Sequence, residues 1–243
     1  MDVAETNQLT TEQAFNHWYY RAKFDLLREH LVRENITPAS QVADVGCGLG
    51  LFLTFLERTG RVCASNLVGI DPAFSAPTPA VEGNALILPS WPPERLFDLI
   101  LMMHVLEHVE DDHAMLSDAA GRLSEGGTIF IEVPAFPFLF SDHDRYLGHY
   151  RRYTTGSLQR LVESVKDLEL VKVHYLFAAI FPVAAAVRLL GGSDASKKHS
   201  DLKAHPSWLN QALVLINKLE RRVAPFNRLF GLSAFAVARK KSR

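Results

Sequence analysis

"VADVGCGLG", residues 42–50, is an apolar run that enters a turn holding Gly46, Gly48 and Gly50. The run predicts a buried strand. The glycines predict a turn that brings backbone N–H groups up to a ligand at the start of a helix. Their spacing is G-x-G-x-G, one residue short of the G-x-G-x-x-G of a dinucleotide turn. Asp44 stands two residues before the first glycine. A carboxylate there suits a pyrophosphate badly and suits a cofactor with a positive end well.

S-adenosylmethionine (SAM) has such an end. It carries an ammonium and a sulfonium and has no phosphate. A second acid, Asp71, closes the apolar run "LVGI" at 67–70. At a strand tip its carboxylate can accept hydrogen bonds from both ribose hydroxyls. Nicotinamide dinucleotide sites share that role, so the turn spacing and Asp44 make the distinction. The expected cofactor is SAM.

Outward from the turn, residues 11–34 have helical apolar spacing, with Thr10 or Thr11 as cap and Pro38 beyond the end. Strands are expected at 41–46, 67–71, 80–82, 98–103, 127–133, 169–175 and 232–240, and helices at 50–58, 112–124 and 155–166. Such alternation predicts an α/β fold, a mostly parallel sheet covered on both faces. The apolar stretch 175–190 holds Pro182 and is too short to span a bilayer. After a polar loop, 207–223 reads as an amphipathic helix with Lys218, Arg221 and Arg222 in its last turn. The chain is thus expected to form a single domain, with an N-terminal helical cap over 1–36 and a helical insertion over 176–231.

Cys47 and Cys63 are the only cysteines, which leaves no disulfide framework or CxxC metal pair. The opening residues lack the pattern of a signal peptide, so a cytoplasmic protein is expected. The formal net charge of −1 hides an asymmetry, because the chain from Arg188 onward holds twelve Lys and Arg against Asp194, Asp201 and Glu220. Such a basic region can face an anionic substrate, a membrane surface or nucleic acid. No interleaving of aromatic and basic residues points to RNA, so nucleic acid is not an expected partner. The insertion reads as a packed lid. Peripheral membrane contact with a lipid-linked substrate and dimerisation are its alternatives, and the oligomeric state is not legible.

Together "VADVGCGLG", "GIDP", "FDLILMMHVLEHVED" and "GGTIFIEVP" resemble, in order and spacing, a class I SAM-dependent methyltransferase of the UbiG/UbiE-like, type 11/12 group. The resemblance covers roughly residues 40–175. It implies a Rossmann-like, seven-stranded sheet whose last strand is antiparallel, with SAM at the carboxyl ends of the first strands. Carried over by position, Gly46, Gly48 and Gly50 would let the backbone approach the cofactor. Asp44 would face the methionine ammonium and Asp71 the ribose. Asn84 would accept from the adenine amino group, and Leu86 would pack on the ring. His104 would contact the methionine part, and Lys23 would pair with the SAM carboxylate. Trp18 and Tyr20 would close over the pocket.

Methyl transfer from a sulfonium needs alignment and, where the acceptor is protonated, a base. Residues 136–154, "FPFLFSDHDRYLGHYRRYT", are the loop expected to supply it. In one reading His143 or His149 is the general base, with Asp142 or Asp144 orienting it. In a second, Arg151, Arg152 and Tyr153 bind an anionic substrate. In a third the loop is a hydrogen-bonded lid tied to the sheet. His104, His108, His143 and His149 could converge with Glu107 and Asp144 on a metal. No HExxH-type spacing fixes two ligands on one face, so no metal is expected. The reading is a SAM-dependent transfer to a small molecule, at oxygen because histidine bases are at hand. A nicotinamide oxidoreductase and a non-catalytic scaffold are the alternatives.

Overall fold

In the computed structural model, residues 10–190 and 206–242 are described, without the side chains of 189–190. The polar loop expected after residue 190 lies outside the described residues, as do the first nine residues of the cap. Strand β1 (Val42–Val45) is buried along its whole length, as a parallel strand covered on both faces must be. It pairs in parallel with β2 (Leu67–Ile70) and β5 (Phe97–Met103). Outside these, β4 (Leu86–Leu88) pairs in parallel with β2, and β6 (Leu123–Pro134) with β5. Two strands complete that side, β8 (Ser233–Lys240) antiparallel to β6 and β7 (Leu168–Leu176) antiparallel to β8.

Among the described residues the sheet has eight strands rather than the expected seven, in the order β3-β4-β2-β1-β5-β6-β8-β7. The extra one, β3 (Thr78–Pro79), is a short antiparallel edge strand on β4. Residues 80–82, expected as a strand, are instead the turn between β3 and β4. Glu82 has φ +53°, and the Ala80 N–H donates to the Ala85 carbonyl at 2.8 Å across that turn. The proline belongs at an edge, where its missing N–H leaves no ladder bond unmade.

Side chains of β5 show how both faces are covered. Leu99, Leu101 and Met103 enter a core with α2 (Trp18–Arg33) and α3 (Leu51–Thr59). Ile100 and Met102 enter the opposite core, with α4 (Asp112–Gly121) and α6 (Thr155–Ser164). The helix expected at 11–34 is two helices, α1 (Thr11–Asn16) and α2. Between them His17 is extended at φ −73°, ψ 131° and accepts the Tyr19 N–H. A short α5 (Asp142–Tyr146) lies in the loop after β6.

Between β7 and β8 the described chain forms α7 (Phe181–Leu190) and α8 (Ser207–Glu220). Helix α8 is bound to the cap. Asn210 accepts the Trp18 N–H at 2.9 Å and donates to the Asn16 carbonyl at 2.8 Å, and Arg221 pairs with Asp25 and Glu29. Among the described residues no helix is long and apolar enough to cross a membrane.

Candidate active site

The glycine turn sits at the carboxyl tip of β1. Gly46, Gly48 and Gly50 have φ of +62°, +54° and +80°, a region that L side chains enter at a cost. At Gly46 space forbids a side chain as well, since an added Cβ would stand 2.7 Å from Val105 Cγ2. Asp44 is 1% exposed, and its Oδ2 has no hydrogen-bond partner among the described residues. Burial, with the Asp71 charge adding to it, pushes the Asp44 carboxyl up to about 7. A buried acid with an unpartnered oxygen beside three left-handed glycines fits a cofactor with a cationic end. On the next strand tip Asp71 accepts the Gly48 N–H at 2.8 Å and the Ala73 N–H at 3.0 Å.

A polar network lies across the tips of β5 and β6. His104 has φ +55°, an uncommon state for a non-glycine residue. Its Nδ1 is 2.9 Å from Glu107 Oε1, and its Nε2 is 3.3 Å from Glu132 Oε1 and 3.3 Å from the Tyr19 hydroxyl. Lys23 Nζ is 3.2 Å from Glu132 Oε1 and lies over the Tyr19 ring. Burial raises the Glu132 carboxyl, but Lys23 and His104 outweigh it and hold it at about 2. Burial and Lys23 work against a charged His104, yet Glu107 and Glu132 leave its pKa raised.

Glu132 and Tyr19 escaped the sequence reading. Glu132 is hidden in the apolar run of β6, where a lone acid among Ile, Phe and Val is the signal that could have found it. Tyr19, not Tyr20, reaches the site, because Tyr20 points into the core against Phe24. Aromatic rings form a wall that joins this network through Tyr19. Phe177, at φ +63° after β7, meets Trp18 and Tyr19 at centroid distances of 5.9 and 5.3 Å. Phe136, at φ +62° after β6, stacks on Tyr175 at 4.8 Å and meets Phe181 at 5.3 Å.

Asp144 organises loop 136–154. It is fully buried and receives Arg152 in a fork, Nε to Oδ1 at 2.7 Å and Nη2 to Oδ2 at 3.0 Å. It also takes the Ser141 N–H and hydroxyl, and its Oδ1 is 2.9 Å from His149 Nδ1. Burial would raise its pKa, but His149 and Arg152 hold it far below the usual carboxylate range. Arg151 pairs with Asp112 and donates to the Val109 and Glu110 carbonyls, and the Tyr153 hydroxyl lies 2.8 Å from Asp112 Oδ2 and 3.1 Å from the Leu106 carbonyl, with one proton to share between them. Arg151, Arg152 and Tyr153 therefore each have protein partners that tie the loop down. His143 lies half-buried on α5. Asn84 is exposed, its N–H and side-chain amide both donating to Glu57. Leu86 beside it is 46% exposed.

This α/β sheet, with an acid before a glycine turn at β1 and another at the tip of β2, defines a Rossmann-like fold of the class I SAM-dependent methyltransferases. Solved structures share it. The plantazolicin methyltransferase BpumL in complex with a monoazolic desmethylPZN analog and SAH is 16% identical, with a TM-score of 0.56 over 97% of this chain and 87% of that one. A putative methyltransferase of Haloferax volcanii, in complex with the Trm112 activator, is 17% identical, with a TM-score of 0.55 over 96% of this chain and 99% of that one. The sequence profile described as "Methyltransferase domain" matches residues 15–170, and the chain belongs to that family.

Among curated relatives, the ubiquinone biosynthesis O-methyltransferase of Bradyrhizobium sp. (strain ORS 278) is 32% identical over 41% of this chain and 42% of that protein. The C-methyltransferase NovU of Streptomyces niveus is 25% identical over 63% of this chain and 40% of that protein. The chain thus matches only about two fifths of the length of these relatives.

Proposed function

We propose that the protein is a SAM-dependent methyltransferase that moves a methyl group to oxygen on a small-molecule acceptor by in-line displacement. The observation that carries this reading is the buried, unpartnered Asp44 oxygen at the G-x-G-x-G turn. That arrangement suits a cation and would repel a pyrophosphate, which speaks against a nicotinamide oxidoreductase. Family membership adds to it.

When bound, SAM supplies a methyl group on a sulfonium that is already a good leaving group. The chain's task is then positioning and proton removal. Asp44 takes the methionine ammonium, and the turn glycines admit the backbone to the cofactor. Asp71, preset by Gly48, holds the ribose hydroxyls, and Asn84 marks the adenine end. Lys23 and His104, joined through Glu132, sit by the methionine part, with Lys23 toward its carboxylate. The acceptor's proton goes to a histidine of loop 136–154, His143 or His149, the latter aligned by Asp144 through its Nδ1. Arg152 and Tyr153 serve to tie the loop down. Arg151 remains 32% exposed and keeps an edge for an anionic acceptor group. The aromatic wall favours an acceptor with an apolar or aromatic body.

The insertion supports a lipid-linked acceptor as a finer reading. Trp208, Leu215, Leu219 and Val223 recur at helical spacing on one exposed face of α8 and its end, and Phe226 is 86% exposed beside them. Exposed Lys218, Arg222 and Arg228 flank that apolar row, as peripheral contact with an anionic membrane would need. The test is to supply SAM with a panel of phenols, carboxylic acids and isoprenoid-tailed phenols and follow S-adenosylhomocysteine. Release with a hydroxylated acceptor supports the reading. SAM binding without release on any acceptor, with or without anionic vesicles, would favour the scaffold instead.

A further inference from the structure

Glu107, His108 and His149 are set aside as metal ligands when the chain is read by spacing, yet the fold gathers them. Glu107 and His108 come from a single turn, Leu106–His108, at the tip of β5. His149 arrives from the loop after β6, where the Tyr150 N–H donates to the Glu107 carbonyl at 2.7 Å. One ligand atom from each of the three lies within 4.8 Å of the others. Ligands of a single zinc-like ion, each about 2.0–2.2 Å from it, stand roughly 3–4 Å apart. Binding an ion therefore requires side-chain rotations that close that difference.

Two further observations point to a cation. Glu107 is completely buried, and while its Oε1 meets His104, its Oε2 has no hydrogen-bond partner among the described residues. A buried carboxylate oxygen left unpaired is costly, and a cation would satisfy it. His149 has its Nδ1 on Asp144, which leaves Nε2 for the ion in the carboxylate–histidine–metal arrangement of known sites. The His108 and His149 rings stand nearly perpendicular, with centroids 4.5 Å apart.

We propose that Glu107, His108 and His149 bind one first-row divalent cation of the zinc type, with Asp144 as the positioning residue behind His149. Two imidazoles and one carboxylate are a borderline-soft set that leaves a coordination position open. On the methyltransferase reading, which the ion site itself does not need, that position takes the acceptor's hydroxyl oxygen. Coordination makes the hydroxyl more acidic. With its Nε2 on the ion, His149 is no longer the base, and proton removal passes to His143.

The test is titration of the full chain with ZnCl2 by calorimetry and with CoCl2 by visible absorption, with SAM titrated in parallel. The expected result is one ion per chain, with visible cobalt bands. His108→Ala and His149→Ala should each weaken zinc binding by about tenfold or more. His113→Ala, an exposed histidine of α4, should change nothing. Should His149→Ala misfold through loss of its Asp144 contact, His108→Ala decides alone. No uptake by the wild type, binding undiminished in His108→Ala, or equal loss in His113→Ala would overturn the site. SAM binding reports on the methyltransferase reading separately, so the two can fail independently.

Discussion

Asp71 Oδ2 accepts the Gly48 N–H at 2.8 Å, so the acid at the tip of β2 holds the glycine turn at the tip of β1 in place before any ribose arrives. On the proposed reading the same carboxylate also holds the ribose hydroxyls. Asp71→Ala removes both roles. Hydrogen bonds to a charged group are worth about 1.5–3 kcal/mol, which puts the loss of SAM affinity at roughly 10- to 100-fold. Calorimetry on the variant checks this, and wild-type affinity would remove Asp71 from the ribose role.

On the proposed reading, Asp44 makes SAM binding depend on pH. Its carboxyl, raised to about 7 by burial and by Asp71, must be ionised to receive an ammonium. Affinity should therefore climb up to tenfold per pH unit below about 7 and level off above it. Stability of the unliganded protein runs the other way. The unfolded chain ionises Asp44 first, so the fold loses stability as pH rises from the ordinary carboxylate range to about 7. Asp44→Asn should abolish both dependences, and an unchanged binding profile in that variant would assign the titration elsewhere.

Gly46→Ala forces a side chain into φ +62° and sets its Cβ 2.7 Å from Val105 Cγ2. The left-handed backbone alone costs about 1–2 kcal/mol, and the contact adds to it. Thermal unfolding should show a clear drop in Tm. Adding Val105→Ala removes the contact but not the dihedral cost, so it should not recover the Tm in full. Gly60→Ala, also at positive φ but in open space, should lose only the dihedral part.

Asp144 and Arg152 form a forked pair buried on both sides. Asp144→Ala leaves an unpaired guanidinium in the interior, a change that costs about 3–5 kcal/mol. Replacing both, Asp144→Ala with Arg152→Met, should recover a large part of that loss. Urea midpoints of the two variants read this directly, and a single-variant loss below about 1 kcal/mol would mean that the pair is solvated.

The sheet's parallel centre was legible because β1, β2, β5 and β6 are apolar runs that end in turn residues. The edge was not. Thr78–Pro79 and Leu86–Leu88 are too short to show a period, and an apolar pair at 80–81 suggested a strand where Glu82 makes the turn. The break at His17 has no glycine or proline to announce it, since a histidine side chain caps the second helix. In the site, Asp44 and Asp71 announced themselves by their distance from the glycines. The pairs His104–Glu132 and Lys23–Glu132 were a different matter, and of the His and Asp pairings that loop 136–154 offers, only the folded loop picks out His149–Asp144. They depend on which strand tips become neighbours and on how a loop folds back, and spacing along the chain does not encode either.

The most direct measurement is a calorimetric titration of the purified wild-type chain with SAM, S-adenosylhomocysteine and NAD. Binding of SAM and its demethylated product at one site per chain, with no heat from NAD, is the predicted result. Binding of NAD alone, or of none of the three, would contradict it.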